Sequence, residues 1–327
     1  MHFQLTEDQR ELREGARELL AGRFDRDRLR AAVDDPALDR ALWRELGAAG
    51  FFALRLPEAA GGVGLGLPEA VLVFEEAGRA LLPGPLVACQ LLAGVVDGVA
   101  TGETVVGLCD GAAEPVLWEH PGDCDELILM EGGADGSPEG GAQGRTAGAY
   151  RCTPDRVSCA PWTSIDPLTP LAAVTDAPRT APLADPDVPR LRREAALLTA
   201  ALQLGSATRT VEMAVAHARR RTQFGAPIGS FQAVKHLCAQ MLVRAEIARS
   251  AVYAAAVTGG ALDVTGAKLL ADEAAVRNAR DCLQVHGGMG FTWEADVHLH
   301  LKRAWLRAER WGAARDAEEL LAADLID

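Results

Sequence analysis

The sequence predicts a mainly α protein in which a small β-domain separates two helical parts. Three observations carry that expectation. Residues 194–220 keep an apolar period near 3.6 without interruption, and two more long helical stretches follow at 230–257 and 264–286. Residues 1–100 carry shorter apolar stripes at helical spacing, punctuated by capping and breaking residues. Residues 101–185 turn instead to short β-like runs, glycines and prolines. The expected division is an N-terminal helical domain over 1–100, a reduced middle β-domain over 101–185 and a C-terminal four-helix bundle over 186–327.

In the first part, Thr6 before Glu7 and Asp8 is an N-cap with acidic first-turn residues, opening a helix to about Leu20. Leu42, Trp43 and Leu46 mark a second stripe, followed by Phe51 and Phe52. Residues 56–64, with Pro57 and three glycines, read as a loop, and 69–82 as a helix stopped by Pro83-Gly84-Pro85. In the middle, β-like runs occupy 104–108, 126–130 and 170–174. The stretch from Gly132 to Gly148 is rich in Gly, Ala and Ser and reads as a mobile loop, and prolines cluster from Pro178 to Pro189. Trp162-Thr163-Ser164, after Pro161, reads as a turn. In the last part, Gly225 and Pro227 break one long helix and Ser230 is placed to cap the next. A third long helix ends in the glycines of residues 287–290, and the last runs from about Asp296 towards the C-terminus as the fourth member of an antiparallel bundle.

Composition narrows the function. Across 327 residues the net charge is −13, which argues against a nucleic-acid surface and leaves an anionic ligand only where arginines gather locally, as at 219–221. No apolar run reaches transmembrane length, and the N-terminal residues lack the basic and apolar regions of a signal peptide. Seven scattered cysteines with no Cys-x-x-Cys fit reduced thiols in a cytoplasmic protein rather than zinc or a disulfide framework. His298 and His300 alternate with leucines and lack accompanying cysteines, so no metal site is expected.

The most informative segment is Arg219-Arg220-Arg221-Thr222-Gln223-Phe224-Gly225-Ala226-Pro227-Ile228-Gly229-Ser230-Phe231-Gln232. Three guanidiniums beside a helix break suit a phosphate or pyrophosphate. The segment resembles the flavin-binding signature of acyl-CoA dehydrogenases. A second stretch, Gln284-Val285-His286-Gly287-Gly288, resembles that family's Gln-x-x-Gly-Gly segment, whose glycines let a ligand approach the backbone. Pro57-Glu58 with Gly61-Gly62 and Gly64, then Glu75-Glu76-x-Gly78-Arg79, resembles its N-terminal helical domain. The resemblance spans the chain and is weakest in the middle.

That resemblance implies the acyl-CoA dehydrogenase fold, FAD as cofactor, an acyl-CoA substrate and an electron-transfer flavoprotein as acceptor. It assigns Arg221, Gln223, Phe224 and Gln232 to one flavin, and Gln284, Gly287 and Gly288 to the flavin of an adjacent subunit. It also implies a glutamate that removes the α-proton while hydride leaves the β-carbon, and this chain lacks one at both positions the family uses. The first falls at Gly312 and the second at Ala195, beside Ala196. The remaining candidates are Glu194, one residue and about 100° of helical rotation from Ala195, and Glu309, three residues before Gly312; a solvated helix face is favoured for both. The middle domain shows no counterpart of the family's Thr-Glu-Pro-x-x-Gly-Ser-Asp-like segment. These departures resemble the smaller subunit of heteromeric actinobacterial acyl-CoA dehydrogenases of steroid side-chain β-oxidation, heterotetramers with two copies of each subunit. The expectation is a subunit without its own base that completes a partner's FAD site. The alternatives are a self-sufficient homo-oligomer using a shifted base such as Glu194, and a scaffold that binds no flavin.

Overall fold

The computed structural model describes residues 4–132 and 148–325. The glycine-rich loop expected between Gly132 and Gly148 therefore falls outside the described residues. In chain order the helices are α1 (Glu7–Arg23), α2 (Arg26–Asp34), α3 (Arg40–Ala48), α4 (Leu67–Ala80) and α5 (Leu86–Leu92). Strands follow: β1 (Val106–Asp110), β2 (Leu117–Glu119), β3 (Glu126–Glu131), β4 (Gly148–Cys152), β5 (Ser158–Trp162), β6 (Leu171–Asp176) and β7 (Arg179–Pro182). Then come α6 (Val188–Arg220), the short strands β8 (Thr222–Gln223) and β9 (Ala226–Pro227), α7 (Gln232–Thr258), α8 (Ala261–His286), α9 (Val297–Ala308) and α10 (Ala314–Asp324).

These elements group into two compact units. One comprises residues 1–25, 67–82 and 196–327; the other comprises 26–66 and 83–195. In the first unit, α1 begins where expected, because Thr6 and Gln9 form a reciprocal capping box. Only Gly259 and Gly260 join α7 to α8, so the two run antiparallel, with Gly259 in the left-handed conformation that ends α7. The last helical stretch is divided at Glu309–Ala313, where Trp311 and Gly312 both have positive φ, into α9 and α10. Two glycines set the spacing of α4 against α6. A Cβ on Gly78 would collide with the backbone of Leu202, and one on Gly205 with the Glu75 carbonyl.

The second unit holds a four-stranded sheet in the order β1-β3-β4-β7 and a three-stranded sheet in the order β2-β6-β5. Strand β1 pairs parallel with β3 and the other pairings are antiparallel. The three β-like runs correspond to β1, β3 and β6. Of the unforeseen strands, β2 is three residues long, β5 and β7 are exposed throughout, and β4 begins at Gly148, the end of the stretch read as a loop. Trp162 is the last residue of β5, opposite Leu171, rather than part of the turn expected over 162–164; the chain bends from Ile165. Trp43 and Phe52 pack at 4.7 Å between ring centroids in the core of this unit, and Gly84 lies against the Trp43 ring.

Adding a Cβ at Gly205 forces a backbone shift, so Gly205→Ala should cost about 1–3 kcal/mol and lower the thermal midpoint by several degrees. Gly15 lies within exposed α1 with open space around it, so Gly15→Ala should stabilise by about 0.5–1 kcal/mol. Thermal unfolding of the two variants beside the parent chain checks the contrast; equal midpoints would refute it.

Candidate functional site

Helix α6 ends at Arg220, and its last backbone bond runs from Arg221 N to the His217 carbonyl. The helix therefore stops before Gly225 and Pro227, not at them. The next six residues form a miniature hairpin in which Gln223 pairs with Ala226 across Phe224 and Gly225. Both turn residues have positive φ, as a primed two-residue turn requires. Such a φ is natural for glycine and strained for a bulky Phe, at a cost of about 1–3 kcal/mol. The Phe224 ring is 94% exposed and meets Phe231 edge-on at 6.2 Å.

Ser230 does not cap α7. Its hydroxyl donates to the Pro227 carbonyl at 2.7 Å, and the N-cap position is taken by Phe231. Gln232 is the first residue of α7 and is exposed. The Gln223 side chain is also exposed and donates to its neighbour's carbonyl, Thr222 O, at 2.8 Å. Arg219, Arg220 and Arg221 are exposed, and none has a carboxylate partner among the described residues. In a chain with net charge −13 this is an uncompensated basic corner.

The second motif closes α8. Gln284 is exposed, Gly287 has φ +62°, and nothing lies within 4 Å of a Cβ built on Gly287 or Gly288. The open glycine turn and the guanidiniums without carboxylate partners fit a cofactor with an anionic linker: the arginines supply charge-assisted donors, and the glycines permit close backbone approach. The two motifs are brought together by a contact the sequence did not signal. The His217 and His286 rings stack with centroids 4.1 Å apart and planes 28° apart. His217 lies one turn before Arg221 and His286 immediately before Gly287.

The candidate bases are placed differently. Glu194 is held by Arg55 through two bonds of 2.7 and 2.9 Å, and by Arg190 at 2.9 Å. Burial alone would raise its pKa; the two guanidiniums outweigh that and hold the carboxyl below the ordinary glutamate value. It is not the solvated helix-face residue favoured from sequence, because Arg55 lies far from it in the chain. Ala195 beside it is buried. Glu309 is exposed at the C-cap of α9. Gly312 has φ +103°, a conformation that L side chains rarely adopt.

The histidine pair at 298 and 300 divides between different partners. His300 is buried, with Nδ1 2.8 Å from the Ser206 hydroxyl, and burial with Arg209, Arg303, Arg307 and Arg79 nearby lowers its pKa to about 3. His298 stands edge-on to Trp293 at 4.8 Å. Among the described residues no group of three His, Cys, Asp or Glu side chains could hold a metal ion. Among the described residues no helix is long and apolar enough to cross a membrane.

Comparison with known proteins bears on the whole chain. The model of the acyl-CoA dehydrogenase N-terminal domain matches residues 6–103, and that of the acyl-CoA dehydrogenase C-terminal domain matches residues 192–313. Acyl-CoA dehydrogenase IpdE2 of Mycolicibacterium smegmatis is 33% identical over 332 residues, covering 98% of this chain and 100% of the relative. Acyl-CoA dehydrogenase FadE34 of Mycobacterium tuberculosis is 36% identical over 291 residues, covering 81% of this chain and 39% of FadE34. Among solved structures, a variant of the Tcur3481-Tcur3483 steroid ACAD superposes with TM-score 0.82 at 24% identity, covering 98% of each chain. The ChsE4-ChsE5 complex from Mycobacterium tuberculosis gives 0.82 at 23% identity, covering 100% of this chain and 99% of that one. With both of its helical parts matched and a relative aligned end to end, the chain belongs to the acyl-CoA dehydrogenase family.

Proposed function

We propose that this chain is a subunit of an FAD-dependent enzyme that dehydrogenates an acyl-CoA thioester between its α and β carbons. In this reading it holds part of the flavin site and leaves proton abstraction to a partner subunit. The observation that carries the cofactor is the basic corner: three exposed arginines without carboxylate partners, beside an open Gly287–Gly288 turn. Bound FAD would supply the hydride acceptor. Arg221 would donate to its pyrophosphate, with Gln223, Phe224 and Gln232 on the adjoining hairpin and helix start. The stacked histidines at the ends of α6 and α8 support assigning Gln284, Gly287 and Gly288 to the same flavin as Arg221, rather than to two flavins.

The absence of a base rests on three residues. Ala195 cannot accept a proton, Gly312 has neither side chain nor a backbone suited to one, and Glu194 is committed to Arg55 and Arg190. A general base must be positioned at the proton it removes and have a pKa matched to the task, and a carboxylate held low by two guanidiniums is poorly matched. The similarity to a steroid ACAD named for two components, and to a ChsE4-ChsE5 complex, supports a heteromer and a bulky acyl group. So does FadE34, in which the matching stretch fills only 39% of the relative and leaves room for a second unit of this size. Electron-transfer flavoprotein is the proposed acceptor, and the cytoplasm the proposed location.

The decisive experiment purifies the chain alone and with a co-expressed homologue that carries the glutamate. The chain alone should show little flavin reduction with any acyl-CoA, and the co-expressed pair should form a heterotetramer with two flavins. Robust turnover by the chain alone would favour the self-sufficient reading; flavin absorbance missing from both would favour a scaffold.

Replacing Arg221 with Ala removes charge-assisted bonds of about 1.5–3 kcal/mol, so FAD should bind roughly ten- to a hundredfold more weakly in whichever assembly retains it. Unchanged affinity, measured by flavin fluorescence, would show that the site lies elsewhere.

Glu194→Gln keeps size and polarity but removes the proton acceptor. Turnover of the active assembly should fall less than about threefold, against the 10²–10⁴-fold typical of a lost general base. A hundredfold loss with flavin still bound would make Glu194 the base.

A further inference from the structure

The proposed flavin site includes a pair of side chains to which no role has been assigned. His217 and His286 stack at 4.1 Å, one at the C-terminal end of α6 and the other at that of α8. Each ring sits on the backbone that presents a flavin motif. The His217 carbonyl accepts the bond from Arg221 N that closes the last turn of α6. His286 is followed directly by Gly287, whose N–H bonds the Gln284 carbonyl.

The His286 ring is fixed at one nitrogen. Nδ1 lies 2.8 Å from the Cys282 carbonyl, which can only accept, so Nδ1 donates to it and the ring is held in place. The charged surroundings are one-sided. From α6, His217 faces Arg220 and Arg221; from α8 it faces His286. Behind His286 lies the Cys282 thiol, pushed up to about 12 by burial and therefore neutral. Asp281 and Cys238 act on Cys282, and Asp281 is itself paired with Arg244 of α7. Among the described residues, the charged groups that act on His217 are all cationic or histidine, and none is a carboxylate.

We propose that the His217–His286 stack is the positioning element that holds the Arg221 turn against the Gly287–Gly288 turn, and that it does so only while at least one ring is neutral. This inference rests on the flavin reading above. A cation over a neutral aromatic face is attractive, so one proton is tolerated. Two imidazolium rings at stacking distance, beside Arg220 and Arg221, repel in a partly desolvated setting. Burial, His286, Arg221 and Arg220 all lower the His217 pKa. A base with a depressed pKa stabilises its native arrangement fully above its ordinary value, and that contribution is lost as pH falls through the ordinary histidine range. The arginines stay charged throughout, and the pyrophosphate diester of FAD does not titrate near neutrality. His217 is thus a group at this corner able to make flavin retention pH-dependent; the exposed His236, in the first turn of α7, is left in place by the ring variants below and serves as their internal control.

The test titrates the full chain, co-expressed with whichever subunit completes its assembly, with FAD between about pH 5.5 and about pH 8 and follows flavin fluorescence. The wild-type Kd should weaken about tenfold or more towards acid. In His217→Phe and His286→Phe, which keep a stacked ring that cannot charge, it should vary by less than about twofold. Either variant suffices if the other fails to fold. A wild-type slope that persists in the variants overturns the proposal; so does tighter binding in acid, which would make the rings direct ligands of the pyrophosphate. If no form binds FAD at any pH, the cofactor reading fails, and the stack is then judged by NMR of the apo chain. There the His217 titration should move up in His286→Phe, and an unmoved titration would overturn the stack itself.

Discussion

Two adjacent buried carboxylates on α4 carry the helical unit. Glu75 and Glu76 are 3% and 1% exposed, and being neighbours on a helix they point about 100° apart. Glu75 reaches α7, where it is paired with Arg249 and accepts from the Tyr253 hydroxyl at 2.6 Å. Burial and the Glu75 charge push that phenol up to about 12, so it remains a donor. Glu76 reaches α1, where Arg17 grips both its oxygens at 2.7 and 2.9 Å. Arg249 also donates to Thr208 of α6, and Arg79 of α4 pairs with Glu212 of α6. Removing Arg249 should cost about 3–5 kcal/mol, because buried Glu75 is left without compensation, whereas the Arg17 side of the other pair is half exposed and worth less. The glycines explain why the acids can sit there: α4 and α6 meet backbone to backbone at Gly78 and Gly205, which leaves the carboxylates at the seams with α1 and α7. The direction of α6, and hence the place where Arg219–Arg221 emerge, follows from this arrangement.

A second buried charge fixes the other end of the same unit. Lys268 of α8 pairs with Asp272, which also accepts from Gln203 of α6 at 2.9 Å. Lys268 Nζ donates in addition to the Arg307 carbonyl at 3.2 Å and reaches the Gly312 carbonyl at 3.5 Å. A lysine that satisfies carbonyls at a helix C-terminus complements the negative end of the dipole and stands in for the next turn of α9. It also clamps the turn at Gly312, whose φ of +103° suits glycine and little else. The position at which the sequence lacks a base is thus occupied by a backbone that would resist one.

Elements whose signal is local were legible from sequence. The Thr6 capping box, the long period of α6, the Pro83-Gly84-Pro85 stop and the glycines after α8 all lie within a few residues of what they determine. What was missed depends on residues distant in the chain or on weak patterns. Exposed β5 and β7 have no apolar alternation. The hairpin at Phe224 replaced the expected helix-to-helix break because Gln223 and Ala226 pair across two residues of positive φ, a turn usually announced by Asn-Gly rather than Phe-Gly. The ion pair from Arg55 to Glu194 spans 139 positions, and the stack of His217 on His286 joins two helices whose sequences read as independent motifs. The arginine run and the paired glycines stand out in the sequence because their chemistry lies in their identity, whatever their neighbours.

Phe224 shows where local preference yields to the site. A bulky aromatic at positive φ with 94% of its surface exposed gains almost nothing from burial, and its backbone conformation disfavours folding. Asparagine or glycine would form the same turn with less strain. The neighbouring arginines are equally uneconomical for the isolated chain: three like charges in succession, with no carboxylate partner among the described residues, repel one another. Strain and like-charge repulsion meet at this one short hairpin, in a unit whose buried Glu75, Glu76 and Asp272 are all paired. The same reasoning separates Glu194 from Arg221. The carboxylate has found its partners within its own unit, whereas the guanidinium has not.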